Sequence, residues 1–250
     1  FSQDPVGDHA ASLESGLLHK YPGRALLMTT GACAIHCRYC FRRYYPYQDE
    51  NALRHIDSVL ATLRRQSDIK EVILSGGDPL SLSDRRLQAL ITQLEEIPHL
   101  QRLRVHSRLP VVLPSRITPH LIDMCGRTRL ATSLVLHCNH PREVTAQLAT
   151  CLAPLRAAGV TLLNQAVLLK GVNDTLETQI MLSEELFQAG ILPYYLHLLD
   201  PVDGAAHFAL DQSIASKIEQ GLRENLPGYL VPRVVQEIAG ESSKTPLHRL

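Results

Sequence analysis

A chain of 250 residues is long enough for one large α/β domain with a substantial core. Lys+Arg and Asp+Glu stand at 25 each, so the formal net charge is zero and neither a nucleic-acid-binding face nor a polybasic membrane patch is indicated. No apolar run approaches the ~20 residues that span a bilayer, and no signal peptide is legible. Of the 6 cysteines, those at 33, 37 and 40 crowd together, which fits a metal site in the reducing cytoplasm better than a disulfide framework. Cys125, Cys138 and Cys151 are scattered and read as small buried hydrophobes. The chain begins with Phe1 rather than Met. Residues 1–20 read as an N-terminal extension, open to truncation, ahead of a core at 21–250.

Short apolar runs alternate with amphipathic segments along the chain. The first run, at 25–30, leads into the crowded cysteines and then a helical pattern at 51–67. Further strand-like runs lie at 71–75, 102–106, 133–137, 161–169 and 193–199. Helical patterns follow each, at 84–97, 119–129, 142–158, 175–189 and 211–225. Ser83 and Thr118 read as helix N-caps, the latter with Pro119 at the first helical position, while Gly159 and Gly190 stand where a helix ends. An extended segment at 229–238 follows. Such alternation argues for a parallel sheet, and the pattern alone leaves a partial barrel and a doubly wound sheet both open. The chemically unusual residues favour the barrel. They fall just after the strands, where the loops at the C-terminal strand ends of a (β/α) barrel build one mouth.

Cys33, Cys37 and Cys40 spell C-x3-C-x2-C. Three thiolates on one tight loop suit three irons of a 4Fe–4S cube, leaving the fourth iron open to a substrate or cofactor. A zinc loop would want a fourth ligand nearby and paired C-x2–4-C knuckles. With Thr30-Gly31-Ala32 before it and Phe41 after it, the stretch resembles the signature of radical S-adenosylmethionine (SAM) enzymes. Ser75-Gly76-Gly77-Asp78-Pro79 closes the second strand and by itself reads as an ordinary turn. The resemblance implies instead that Gly76 and Gly77 let backbone approach the methionine end of SAM and that Asp78 holds its ammonium. It likewise implies a partial (β/α)6 TIM-like barrel. Ser107, His137 and His140 are further expected SAM contacts.

Near the end stands Gly240-Glu241-Ser242-Ser243-Lys244-Thr245-Pro246. A lone Lys in a polar loop is ordinarily solvated surface. However, from about Tyr21 to Pro246 the chain resembles the lysine 2,3-aminomutase family. The resemblance rests on His19-Lys20-Tyr21-Pro22-x-Arg24, the cysteine stretch to Arg43, Ser75 to Leu80, Ser107-Arg108, Asn139-His140-Pro141, Asn164-Gln165, Gly171-Val172-Asn173-Asp174, Pro193-Tyr194-Tyr195 and Lys244-Thr245-Pro246. It implies that Lys244 carries pyridoxal phosphate covalently, that Tyr21 and Arg24 grip its phosphate, and that Gln165 is a further contact. Arginine suits that task through its planar donors. By the same resemblance, Arg42 clamps the substrate carboxylate, while Asp200 and Glu237 flank its distal ammonium. Glu237 stands where the family's free-lysine enzymes have Asp, and His197 replaces a usual Tyr.

The implied reaction is a radical isomerisation that moves the amino group of L-lysine from carbon 2 to carbon 3, with a flavodoxin- or ferredoxin-type electron donor. Two acidic groups select lysine over glutamate, since a like-charge contact at ~4 Å costs about 4 kcal/mol at an effective dielectric near ~20. The ending six residues after Lys244, the Ile35-His36 pair and the run at 192–200 resemble the branch that makes (R)-β-lysine for elongation factor P and its lysyl ligase. A free-lysine aminomutase, a mutase of another basic amino acid, a radical SAM enzyme without pyridoxal phosphate and a non-catalytic zinc protein are the rival readings.

Overall fold

Ten strands form a single sheet in sequence order in the computed structural model, which describes residues 1–249. Strand β2 (Leu17–Tyr21) runs antiparallel to both of its neighbours, β1 (Ser12–Glu14) and β3 (Arg24–Thr30). From β3 onward the sheet is parallel, through β4 (Glu71–Gly76), β5 (Arg102–Ser107), β6 (Ala131–Leu136), β7 (Thr161–Val167), β8 (Leu192–His197) and β9 (Arg233–Gln236). A two-residue β10 (Thr245–Pro246) turns back antiparallel on β9. β1 and β10 occupy opposite edges, so the barrel is open.

The crossovers carry α1 (Ile56–Arg65), α2 (Asp84–Glu95), the single turn α3 (Leu109–Val112), α4 (Pro119–Arg127), α5 (Ala146–Ala157) and α6 (Leu176–Gln188), and α7 (Gln212–Asn225) precedes β9. Apolar spacing makes these helices: Leu87, Leu90, Ile91 and Leu94 of α2 are buried on one face, and they join Leu103 and Val105 of β5 in one core. In β5 the alternation is strict. Leu103 and Val105 face the helices, while Arg104 and His106 line the barrel interior.

Most expected elements stand within a few residues of their places, and the differences have local causes. The helix expected from 51 begins at Ile56, because Asn51 caps a separate 3-10 turn at Ala52–Arg54. The helix expected from 142 begins at Ala146. Pro141 starts a 3-10 turn, and Thr145 then caps α5 by accepting from the Leu148 amide. The strand expected to run to 169 stops at Val167, where Leu168 N donates to His197 O at 2.8 Å. Thr118 caps α4 through the Leu121 amide, but Ser83, at the N-cap of α2, makes no side-chain cap bond. Gly159 and Gly190 have φ of +87° and +76° behind α5 and α6, as helix ends require. The largest correction concerns the N-terminus. A boundary between 20 and 21 falls inside β2, and Asp8 is buried at 2% exposure, so this segment belongs to the barrel.

Candidate active site

A cavity of about 840 Å³ opens at the C-terminal ends of the parallel strands. It gathers Cys33, Cys37 and Cys40, Gly76 to Asp78, Ser107, His137, Gln165, Asp200, Glu237 and Lys244, together with Tyr21, Arg24 and Arg42. Fifteen of the sixteen residues singled out from the sequence therefore share one chamber. His140 is the exception. Its ring accepts from the Arg142 amide while Glu143 closes the reciprocal bond, so it caps the turn after β6 and does not line the cavity.

The cysteine loop is docked on the end of β4. Gly77 N donates to Thr30 O at 2.6 Å and Asp78 N to Ala32 O at 2.8 Å. A Cβ on Gly76, at φ +128°, would sit 2.4 Å from Thr30 O, and one on Gly77 2.4 Å from Ala32 O. These glycines thus allow close backbone approach, here by the cysteine loop. Asp78 is held within the protein. Its Oδ1 accepts from Ser107 Oγ (2.7 Å) and Leu80 N (3.0 Å), and its Oδ2 from Arg108 N (2.8 Å) and Leu109 N (2.9 Å). Four acceptor positions are engaged, so within the protein it acts as a buried brace between β4 and β5.

Burial, then the Asp78 charge, pushes the Cys33 thiol up to about 11, and burial raises Cys40 as well. The protein alone therefore leaves these thiols protonated, and bound metal is what would ionise them. Among the described residues no three His, Cys, Asp or Glu groups are arranged to hold one metal ion, the arrangement a zinc loop needs. A cubane takes one thiolate per iron, which three cysteines spread along one loop can provide.

An alternating ladder of charge crosses the chamber floor. Arg42 Nε donates to Asp8 Oδ2 at 2.6 Å; Lys20 Nζ meets Asp8 Oδ1 at 2.6 Å and Glu237 Oε1 at 2.9 Å; Lys244 Nζ meets Glu237 Oε2 at 2.7 Å. The last contact follows from hairpin register: Gln236 pairs with Thr245, so the next residue out on each strand faces the other. Burial opposes ionisation of Glu237, but the Lys244 and Lys20 ammoniums hold its carboxyl well below the usual range. Glu237 is therefore already engaged by two protein cations, and Arg42 is already held by a protein carboxylate. Both are residues that the resemblance turns toward the substrate.

Asp200 is different. Its Oδ1 is buried with no partner, and burial followed by the Glu237 charge pushes its carboxyl up to about 7. A buried carboxyl with an unmet bond is what a cationic ligand would complete. Across the chamber Arg24 lies over the Tyr21 ring, 4.6 Å from its centroid, outside the ion pairs of the ladder. Its guanidinium stays available for a phosphate. His106, His137 and His197 each have a buried Nε2 without a partner, and burial drives all three below the usual range, His137 to about 4. They are neutral imidazoles that offer polar atoms to a ligand. Arg104 (tied to Glu71 at 2.7 Å), His106 and Asp8 were not singled out from the sequence. The alternation of β5 carried a signal for the first two; nothing local marked Asp8.

The Radical SAM superfamily profile matches residues 27–134. Two solved structures share the fold. One is Streptococcus suis SuiB bound to S-adenosylmethionine (TM-score 0.61, 14% identity, 87% of this chain and 51% of that one), so this chain spans about half of SuiB's length. The other is a radical SAM methyltransferase from Sphaerobacter thermophilus (TM-score 0.61, 16% identity, 88% and 68%). The open parallel barrel, with its cysteine loop after the first parallel strand, is thus of the radical SAM class. Nearer relatives resolve the class further. The chain is 51% identical to the L-lysine 2,3-aminomutase of Haemophilus influenzae over 98% of its own length and 73% of the relative's, and 50% identical to that of Escherichia coli over 99% and 72%. The enzyme of that name from Clostridium subterminale is 39% identical, over 98% of this chain and 59% of the relative. The chain belongs to the lysine 2,3-aminomutase family of radical SAM enzymes.

Proposed function

We propose that the protein converts L-lysine to β-lysine by moving the amino group from carbon 2 to carbon 3. The observation that carries this reading is the unpartnered, buried Asp200 carboxyl in the same chamber as Lys244 and the three cysteines. Cys33, Cys37 and Cys40 would hold a 4Fe–4S cluster, with SAM beside Ser107 and His137. Lys244 would hold pyridoxal phosphate, its phosphate met by Arg24, Tyr21 and Gln165. When bound, these groups would supply one-electron chemistry for hydrogen-atom abstraction and a conjugated ring able to delocalise an unpaired electron.

The chain's own residues place the substrate. Asp200, ionised by the arriving ε-ammonium, fixes the far end of lysine. Arg42, oriented by Asp8 and by Ser75 Oγ 3.2 Å from its Nη1, faces the carboxylate. Glu237 holds Lys244 Nζ in place at 2.7 Å, and Lys20 pairs the other oxygen of Glu237. Glutamate is rejected because its distal carboxylate would meet the Asp200 carboxyl, which no protein cation pairs.

The product would be used to modify elongation factor P through its lysyl ligase. Supporting this branch are the Ile35-His36 pair and the run at 192–200. A flavodoxin- or ferredoxin-type protein would deliver the electron. The free cysteines suit the reducing cytoplasm, and among the described residues no helix is long and apolar enough to cross a membrane. The test is anaerobic incubation with SAM, pyridoxal phosphate and dithionite, offering L-lysine, L-glutamate and L-alanine separately. β-Lysine should form from lysine alone; turnover of glutamate, or no isomer from lysine, overturns the reading.

A further inference from the structure

Arg108, the first residue after β5, is fixed at both ends. Its backbone amide donates to Asp78 Oδ2 at 2.8 Å. At the other end its guanidinium spreads over the cysteine loop. Nη1 donates to Cys37 Sγ at 3.2 Å and to the Tyr39 hydroxyl, and Nη2 donates to Glu143 Oε2 at 2.8 Å. The partners are themselves fixed. Asn139 Nδ2 donates to the Tyr39 hydroxyl at 2.5 Å, and Glu143 Oε1 accepts from the Asn139 and His140 amides at 2.9 and 3.1 Å. Three strand ends thus hold one cation against one of the three cysteine sulfurs.

We propose that Arg108 is a positioning residue that sets the reduction potential of the cluster, with Glu143 as its counterweight. The inference rests on the reading that Cys33, Cys37 and Cys40 bind a 4Fe–4S cluster. Adding an electron makes the cluster more negative, and a cation hydrogen-bonded to a ligand sulfur favours that state. Glu143 takes up part of the same positive charge at 2.8 Å and so limits the effect.

The test is a redox titration of the anaerobically reconstituted full chain, followed by electron paramagnetic resonance with dithionite as reductant. SAM is left out, so that any contact between it and Arg108 does not enter. Arg108→Gln should lower the midpoint, making the reduced fraction about tenfold smaller at a fixed potential, or about 59 mV for one electron. Glu143→Gln should move the midpoint upward. Opposite signs are not what general damage to the loop produces. A wild-type midpoint in cluster-loaded Arg108→Gln, or movement of both variants in one direction, overturns the inference. If Arg108→Gln takes up no cluster, Glu143→Gln decides alone, and a midpoint at or below wild type overturns the proposal. Wild type without iron and sulfide would instead overturn the cluster reading itself.

Discussion

Burying Asp200 should make the ligand-free protein less stable as the pH rises, and Asp200→Asn should reverse this. The carboxyl titrates near 3.8 in the unfolded chain and near 7 in the folded one, with burial the leading cause. A folded-state pKa above the unfolded one favours folding most below the unfolded value, and that advantage is lost as the pH climbs through the folded value. Integrated over these two pKa values, the cost of holding Asp200 is about 4 kcal/mol at pH 8 and about 2 kcal/mol at pH 5. Asparagine keeps the volume and has no charge to bury. Urea unfolding of both proteins without cofactors or lysine should therefore show the variant more stable at pH 8, with the gap roughly halved at pH 5. A gap that does not change between the two pH values, or a more stable wild type at pH 8, refutes the reasoning. The variant should also lose lysine turnover by two or more orders of magnitude, since it leaves the substrate ammonium without its counter-charge.

Three further outcomes are expected. Cys37→Ala should lose the visible absorbance and reduced paramagnetic signal of the cluster, whereas variants of Cys125, Cys138 or Cys151 should retain them; equal loss in any of these would misplace the metal. Lys244→Ala should lose the borohydride-reducible pyridoxal adduct while keeping iron and SAM cleavage, and recovery of the adduct on Lys20, which shares the Glu237 carboxylate, would reassign the site. Gly77→Ala forces a Cβ to within 2.4 Å of Ala32 O, so it should cost about 1–3 kcal/mol in urea unfolding and lower iron uptake; normal loading would mean that the loop does not depend on this contact.

Much of the frame was legible because periodicity and punctuation agree. Strand and helix patterns alternate, and Thr118, Gly159 and Gly190 mark ends that the backbone needs. The cysteine spacing and the position of Lys244 located two corners of the chamber before any coordinates. What escaped was long-range pairing. Asp8 lies in a segment without pattern, and its partners Lys20 and Arg42 sit on other elements. Gly-Gly-Asp also docks one loop on another, which depends on which backbone comes near, and residue types alone do not show that. The His-Pro-x-Glu pattern at 140–143 makes a capping box with an imidazole where Ser or Thr usually stands, so the outward place of His140 is legible only once that turn is known.

The charge ladder also dictates an order of assembly. The cysteine loop and its dock on β4 are joined by bonds such as Gly77 N to Thr30 O, within the first third of the chain. The link from Lys20 to Glu237 closes across 217 positions, and Lys244 lies beyond it. Loop closure over that length carries the larger entropic cost, and on the ribosome it must wait until nearly the whole barrel has emerged. The cysteine loop, with Arg42 held by Asp8 and Ser75, can therefore form before Asp200, Glu237 and Lys244 have been made. During synthesis one wall of the chamber would stand complete while the wall that carries Asp200 and Lys244 is still missing.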